Sequence, residues 1–171
     1  MITWSMRPAR AEDVEAVAEL RAVVMRDDLV RLGVYDEHQV RQRLRNRFRA
    51  EHTWIVEVDG AFAGCAALVP NAEVGDQGHG PDHSDTEGFW LEHFYLAPET
   101  QGRGFGTAVL RELLDRADAA GLPVRLQSLR GSAAVRLYER EGFTVETETP
   151  YDLWMIREPR TRTAAALSSP R

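Results

Sequence analysis

The sequence predicts one domain that mixes α-helices and β-strands. An apolar, aromatic run at residues 89–96 is followed by a glycine-rich turn at 101–106 and then by apolar residues at helical spacing. Residues 53–69 have a hairpin pattern around Asp59-Gly60, and residues 126–140 again have the order strand, then helix. A chain of 171 residues is long enough to bury one full core. These features together favour an α/β fold class.

The N-terminal elements are predicted in chain order. Residues 2–6 form a first strand, and Asp13 caps the helix that follows it. The buried face of that helix includes Val14, Val17 and Ala18, with Arg21 next on the same face. A second helix is expected from Glu37 to Arg49, with Val40, Leu44 and Phe48 on its apolar face.

The C-terminal region is predicted to add two strands and a tail. Residues 143–147 and 152–157 have strand patterns and are separated by Pro150. Residues 160–171 lack a core pattern, so we expect a disordered tail there. The predicted domain therefore covers residues 1–159.

The turn at residues 101–106 has the composition of a phosphate-binding loop. It lies between a predicted strand and a predicted helix, where backbone N–H groups and the helix dipole favour an anion. A Walker loop is excluded because it requires lysine, and all 21 basic residues of this chain are arginine. A dinucleotide fingerprint is excluded because Thr107 stands where its third glycine is needed.

Two motifs carry a resemblance to a known family. Gln101, Gly104 and Gly106 fit the pattern Gln/Arg-x-x-Gly-x-Gly/Ala, and residues 134–143 fit Ala-x-x-Leu-Tyr-x-x-x-Gly-Phe. In this order and at this separation, they resemble the two signatures of the GNAT superfamily of acyl-CoA-dependent N-acyltransferases. The resemblance implies the GNAT fold, a mixed, largely antiparallel central sheet of six or seven strands flanked by about four helices.

The resemblance also implies a reaction. Members of the family use acetyl-CoA as co-substrate, and the amine attacks the thioester directly within a ternary complex. We therefore expect an N-acetyltransferase that moves an acetyl group to a primary amine of a small molecule. Two alternatives stay open: a non-catalytic acyl-CoA-binding module with a regulatory role, and an acetyltransferase of proteins or peptides.

The resemblance also implies which residues of this chain contact the cofactor. Phe94, Tyr95 and Leu96 would supply backbone hydrogen bonds to the pantetheine arm and the thioester. The loop residues would hold the pyrophosphate: Gln101, Gly102, Arg103, Gly104, Phe105 and Gly106. Asparagine often opens the second signature in the family and bonds the pantetheine arm, and here Ser132 stands nearby as a partial substitute.

Tyr138 is the expected general acid, because it matches the family tyrosine whose hydroxyl reaches the CoA sulfur. The alternative is that Tyr138 packs only as an aromatic side chain. It therefore counts as both a cofactor contact and a catalytic candidate.

A general base is needed because a free alkyl-amine has a pKa of about 10. Glu92 is the first candidate, since an acid on this strand is common in the family. His93 is the second, since its ordinary pKa is nearest neutrality. Strand alternation predicts two faces: Trp90, Glu92, Phe94 and Leu96 on one, and Leu91, His93 and Tyr95 on the other.

Contacts to the acceptor are expected from two regions. Tyr35 follows from the resemblance, because the helix–loop–helix region commonly lines the acceptor site in this fold. Residues 71–88 form a long aperiodic segment that runs into the strand carrying Glu92, so it is predicted to cover the acceptor pocket. Its carboxylates, among them Asp85 and Glu87, are candidate contacts to a cationic amine.

No metal site is expected. Four residues of that segment are conceivable metal ligands, but structural metal sites usually include cysteines at closer spacing. The four residues are His79, Asp82, His83 and Asp85.

Composition limits the partners. The net charge of −6 argues against nucleic-acid binding. The sequence has no apolar stretch long enough to span a membrane and no signal peptide, so we expect a cytoplasmic protein. Cys65 is predicted to be a small core residue, not a nucleophile. Dimers are frequent in the family, which makes the late strands around Trp154 a candidate homodimer contact.

Overall fold

The described residues of the computed structural model, 1–75 and 82–161, form a seven-stranded sheet. Its strand order is β1-β2-β3-β4-β5-β7-β6, and every neighbouring pair is antiparallel except the parallel pair β4 and β5. The strands are β1 (Trp4–Pro8), β2 (Thr53–Val58), β3 (Ala61–Pro70), β4 (Phe89–Leu96), β5 (Val124–Leu129), β6 (Thr144–Glu148) and β7 (Asp152–Arg157).

Five α-helices accompany the sheet in this part of the chain. They are α1 (Val14–Arg31), α2 (Glu37–Arg47), α3 (Asn71–Val74), α4 (Phe105–Ala120) and α5 (Ala134–Arg140). The predicted sheet of six or seven strands with about four helices is confirmed. The one-turn helix α3 is additional to the prediction. No helix among the described residues is long and apolar enough to cross a bilayer. Residues 162–171 lie outside the described ranges, so the predicted tail stays a prediction.

Two details of the N-terminal helices differ from the prediction. Asp13 does not cap α1 with its side chain, because its carboxylate accepts hydrogen bonds from the backbone N–H of Arg10 and from the guanidinium of Arg7. Helix α2 ends at Arg47, two residues early, because the backbone at Phe48 is already extended.

The two faces of the sheet carry different cores. Helix α4 packs on one face and buries the residues that its spacing predicted: Val109, Leu110, Leu113, Leu114 and Ala117. The opposite face packs against α1 and α2, where Cys65 is buried as predicted. Trp154, the suggested dimer contact, is buried within the single chain.

Strands β4 and β5 separate along their length. They pair only from Phe89–Val124 to Leu91–Leu126, although β4 continues to Leu96 and β5 to Leu129. Beyond Leu91, the backbone of β4 therefore has no strand partner on its β5 side. The wedge between residues 92–96 and 127–129, here called the β4–β5 cleft, opens toward the carboxyl ends of both strands.

A β-bulge interrupts β4 beside this cleft. Glu92 pairs with Ala67 and Tyr95 pairs with Cys65, so His93 and Phe94 together stand opposite one residue of β3. His93 adopts φ of 51°, which is uncommon for a residue other than glycine.

The bulge makes the predicted alternation wrong. Phe94 and Leu96 pack into the core beneath α4 and α5, whereas Tyr95 packs on the α1–α2 side. Glu92 and His93 interact electrostatically with arginines of that same α1–α2 side. The inserted residue shifts the side-chain period by one, so Glu92, His93 and Tyr95 share a face that Phe94 and Leu96 do not.

Candidate active site

The glycine-rich loop follows β4 at the open end of the cleft and leads directly into α4. The N–H groups of residues 102–106 form no hydrogen bond with the described residues. Such donors at a helix N-terminus, with the positive end of the dipole behind them, suit an anion. The backbone of this loop therefore fits a pyrophosphate.

Glycine is required in this loop for two different reasons. Gly102 and Gly104 adopt φ of 71° and 85°, while a Cβ at either position would meet open space. Gly106 lies in α4, and a Cβ there would lie 3.3 Å from a methyl of Leu96. The first two glycines shape the turn, and the third lets α4 approach β4 closely.

The Gln101 side chain ties the loop to the strand. Its Nε2 donates a hydrogen bond to the carbonyl of Leu96 at 2.9 Å. That carbonyl is therefore occupied, and contacts from β4 to a ligand would come from the other free backbone groups of the cleft. Arg103 is exposed and stacks on Phe105, with its guanidinium carbon 5.1 Å from the ring centre.

Tyr138 comes from α5 and belongs to the core on the α4 side of the sheet. Its ring packs against Phe94 and Phe143, with centroids 6.3 and 5.7 Å away. Burial raises the pKa of the Tyr138 hydroxyl, and the Tyr95 phenol raises it further. The hydroxyl forms no hydrogen bond to any described residue, so it is a protonated and uncommitted donor at neutral pH.

Glu92 is a buried carboxylic acid with an unsatisfied oxygen. Its side chain is 8% exposed, and the nearest cation is Arg49, whose Nη1 lies 3.9 Å from Oε1. Oε1 has no hydrogen-bond partner among the described residues. Burial raises the pKa of Glu92, and the positive charges of Arg49, Arg47 and His52 offset part of that increase. A carboxylate with a raised pKa is a better proton acceptor than an exposed one.

His93 stands beside Glu92 on the same side. Its ring lies 6.2 Å from that of Tyr95, and its buried Nδ1 lacks a partner among the described residues. Burial lowers the pKa of His93 to about 3, with further lowering by Arg21, Arg47 and Arg49. The imidazole is therefore neutral at pH 7 and a weak base, which favours Glu92 for proton abstraction.

The chain is similar in sequence to one known family. The sequence model of the acetyltransferase (GNAT) family matches residues 17–143, from α1 to the Gly142-Phe143 pair. The chain belongs to the GNAT acetyltransferase family. No curated protein matches it significantly by sequence.

Solved structures share the GNAT fold at low sequence identity. The PaiA N-acetyltransferase of Thermoplasma acidophilum, crystallised with coenzyme A, aligns with a TM-score of 0.67 and 19% identity over 91% of this chain and 99% of its own. An N-acetyltransferase of Staphylococcus aureus Mu50 gives 0.65 and 20% over 89% and 98%. N-acetylglutamate synthase of Neisseria gonorrhoeae, complexed with coenzyme A and L-arginine, gives 0.60 and 20% over 92% of this chain and 33% of its own.

The remaining predicted contacts of this GNAT domain lie at different distances from the cleft. Tyr35 and Leu129, the last residue of β5, both pack against the cluster of Ala22, Leu29 and Val40, and Arg26 stacks on the Tyr35 ring at 5.0 Å. The Ser132 hydroxyl accepts a hydrogen bond from the N–H of Ala134 at 3.3 Å, in the first turn of α5. Both positions are compatible with a ligand in the cleft.

Asp85 and Glu87 are exposed and precede β4 at its paired end, opposite the opening. Glu87 is nine residues before Leu96, which corresponds to about 30 Å of extended chain between Glu87 and the end of β4 next to the phosphate loop. His79, one of the conceivable metal ligands of the same segment, lies outside the described residues. Within the described ranges, possible metal-ligand atoms instead lie close together at Glu51, His52 and Glu73.

The sequence interpretation missed Arg21 and Arg49 as neighbours of the candidate base. Arg49 approaches Glu92, and Arg21 donates a hydrogen bond to the hydroxyl of Tyr95 at 3.0 Å. A signal existed for Arg21, which lies on the buried face of the helix three residues after Ala18. A charged residue at such a position needs a polar partner inside the fold.

Proposed function

We propose that this GNAT protein transfers an acetyl group from acetyl-CoA to a primary amine of a small molecule, by direct attack within a ternary complex. The observation that carries the proposal is the β4–β5 cleft. It has an uncommitted, protonated Tyr138 hydroxyl on one side and the buried, unsatisfied Glu92 oxygen on the other. A proton donor and a proton acceptor on opposite sides of an open strand edge suit acyl transfer to an amine.

Acetyl-CoA would supply the activated acetyl group. The N–H groups of residues 102–106 would hold its pyrophosphate, and the free edge of β4 would bond its extended arm. The acceptor must then approach from the α1–α2 side, because α4 and α5 fill the opposite face.

The proposed reaction moves two protons, one to Glu92 and one from Tyr138. The amine nitrogen forms a bond to the thioester carbonyl carbon, and Glu92 takes one proton from that nitrogen. The carbon–sulfur bond breaks, and Tyr138 gives its hydroxyl proton to the departing sulfur. Solvent then restores both side chains to their starting states.

A small acceptor is favoured over a peptide by the access to Glu92. Its carboxylate lies beneath Arg49 and is nearly inaccessible to solvent. A slender amine reaches such a buried carboxylate more readily than a folded chain does. We also propose that residues 1–159 form a single domain.

Thiol release from acetyl-CoA, measured over a panel of primary amines, tests the proposal. We expect turnover by the native protein, with kcat lowered about 10²–10⁴-fold in Glu92→Gln and in Tyr138→Phe and CoA affinity unchanged by calorimetry. Glu148→Gln, on the exposed strand β6, is the matched control and should retain full activity. CoA binding without turnover on any amine would identify a non-catalytic module instead.

A further inference from the structure

Arg21 reaches from α1 across the sheet surface to the strand of the candidate base. Its Nε donates a hydrogen bond to the Tyr95 hydroxyl at 3.0 Å, and its Nη1 donates to the backbone carbonyl of Val40 in α2. The guanidinium is thus held by two elements besides its own helix, and its Nη2 has no hydrogen-bond partner among the described residues. A planar group fixed in this way can offer its remaining N–H donors in one direction.

The charge of Arg21 is not paired within the described structure. Its side chain is half-buried, yet no carboxylate of the described residues lies within 4.0 Å of it. Six of the other half-buried or buried arginines have such a partner: Arg7, Arg41, Arg45, Arg49, Arg125 and Arg157. A partly desolvated guanidinium without a counter-charge is unfavourable unless a ligand supplies one.

Another arginine lies near Arg21. Arg21 and Arg49 both lower the pKa of His93, and Arg49 approaches the Glu92 carboxylate at 3.9 Å. His93 itself is neutral at pH 7. Two guanidiniums, Arg21 and Arg49, against the single Glu92 carboxylate make the α1–α2 side of the cleft a poor place for a purely cationic amine and a favourable one for an anionic group.

We infer that the acceptor is an amine that also carries an anionic group, a carboxylate above all, and that Arg21 binds this group while the amine faces Glu92. The inference rests on the proposed function, because it names the substrate class of the same site. It replaces the earlier expectation of a cationic acceptor, since Asp85 and Glu87 lie at the closed end of β4. Arg21 would contribute specificity, not proton transfer.

The strand register sets the size of such an acceptor. Glu92 and Tyr95 pair with Ala67 and Cys65, which are two residues apart on β3. Two residues of extended strand span about 7 Å. Amine and anion should therefore be separated by a few bonds, as in α-, β- and γ-amino acids.

The test compares acceptors that differ only in charge. The activity on each acid is compared with the activity on its own amide, for L-amino acids, β-alanine and γ-aminobutyrate. O-phosphoethanolamine is included as an acceptor whose anionic group is a phosphate. The variants are Arg21→Gln, Arg21→Lys and, as a matched control, Arg43→Gln, which removes an exposed arginine of α2. Thiol release gives kcat/KM, and calorimetry in the presence of CoA gives acceptor affinity without requiring turnover.

We expect native kcat/KM to favour an acid over its amide. Arg21→Gln should lower kcat/KM for that acid about 10–100-fold, as expected for a lost charge-assisted hydrogen bond, and leave the amide nearly unchanged. Arg21→Lys should restore part of the preference, and Arg43→Gln should have no effect. The deciding quantity is the ratio of kcat/KM for the acid to kcat/KM for the amide, measured within one variant. If Arg21 had only a structural role, its loss would lower activity on acid and amide alike.

Other outcomes separate this inference from the proposed function. Turnover that favours amides or polyamines, with an acid-to-amide ratio unchanged in Arg21→Gln, would overturn the inference and leave the function standing. Acid binding that Arg21→Gln abolishes, without turnover, would overturn the function and support the anion site. Neither turnover nor acid-selective binding would overturn both.

Discussion

The thiol of Cys65 donates a hydrogen bond to the backbone carbonyl of His93, with 3.0 Å between sulfur and oxygen. This contact joins β3 to the bulged residue of β4. It offsets part of the backbone strain at His93, whose φ is 51°. The neighbouring position is equally constrained, because a Cβ at Gly64 would lie 2.3 Å from the carbonyl oxygen of Tyr95. Two successive small residues of β3 thus permit the bulge that brings Glu92 and His93 to the same side.

The first prediction concerns the reactivity of Cys65. Burial raises the pKa of its thiol to about 12, and the side chain is inaccessible to solvent. A thiol-specific disulfide reagent should therefore leave the native protein unlabelled and label one thiol after denaturation. Rapid labelling of the native protein would contradict the assignment of Cys65 as a core residue. Because the buried thiol does not react, the native protein adds no signal of its own to an assay of thiol release.

The second prediction is a pH dependence of activity that belongs to Glu92. Its carboxyl must be ionised to accept a proton, and burial raises its pKa above the ordinary value of 4.5. Activity should therefore fall as the pH falls through this raised pKa. In Glu92→Gln that limb of the pH profile should disappear, whereas the limb due to the amine's own ionisation should persist. An unchanged profile in the variant would assign the base elsewhere.

The third prediction is that Glu92→Gln gains stability relative to the native protein as the pH rises. A raised pKa means that the folded state holds the proton more tightly than the unfolded state. The native free energy of unfolding therefore falls as the pH rises from 4.5 through the raised pKa. Urea unfolding at pH 4.5 and pH 8 should show the variant gaining relative to the native protein at the higher pH. An equal difference at both pH values would contradict the burial of an ionised carboxyl.

The sequence could predict elements whose signal lies in local spacing. Helix α4 buries one stripe of apolar residues, and the 101–106 turn needs glycine in its backbone, so both could be predicted from neighbouring residues alone. The bulge could not, because β4 is apolar or aromatic on both faces and a one-residue shift leaves no gap in its pattern. Predicting the side on which Glu92 lies required the pairing with β3, a contact between strands about 25 residues apart.

The fourth prediction separates ligand binding from backbone strain at glycine. Gly104 and Gly121 flank α4 with φ of 85° and 70°, and neither has an atom near the position of an added Cβ. Alanine at either site should cost about 1–2 kcal/mol of stability, because both residues adopt left-handed conformations. Only Gly104→Ala should also weaken CoA binding in calorimetry, since it alone lies in the anion loop. Equal loss of affinity in both variants would remove the loop from the binding site.

The fifth prediction concerns the ion pair that anchors β7 to α4. Arg157 is 4% exposed and donates two hydrogen bonds to Asp118, at 2.8 and 3.0 Å, and a third to the backbone carbonyl of Glu141. Arg157→Met should destabilise the protein by about 3 kcal/mol in urea unfolding, because the Asp118 carboxylate would lose its partner. The hydrogen bonds from Arg157 are the main reason why the pKa of Asp118 lies below its ordinary value of 3.8.

A depressed pKa fixes the sign of the pH effect at this pair. The stabilisation is present above pH 3.8 and is lost as the pH falls through the lower folded-state value. The difference between native protein and Arg157→Met should therefore shrink below pH 4. Asp118→Asn is the reciprocal variant, and the double variant should lose less than the sum of both single losses, because each removes the same interaction. Additive losses would show that Arg157 stabilises the fold chiefly through the Glu141 carbonyl.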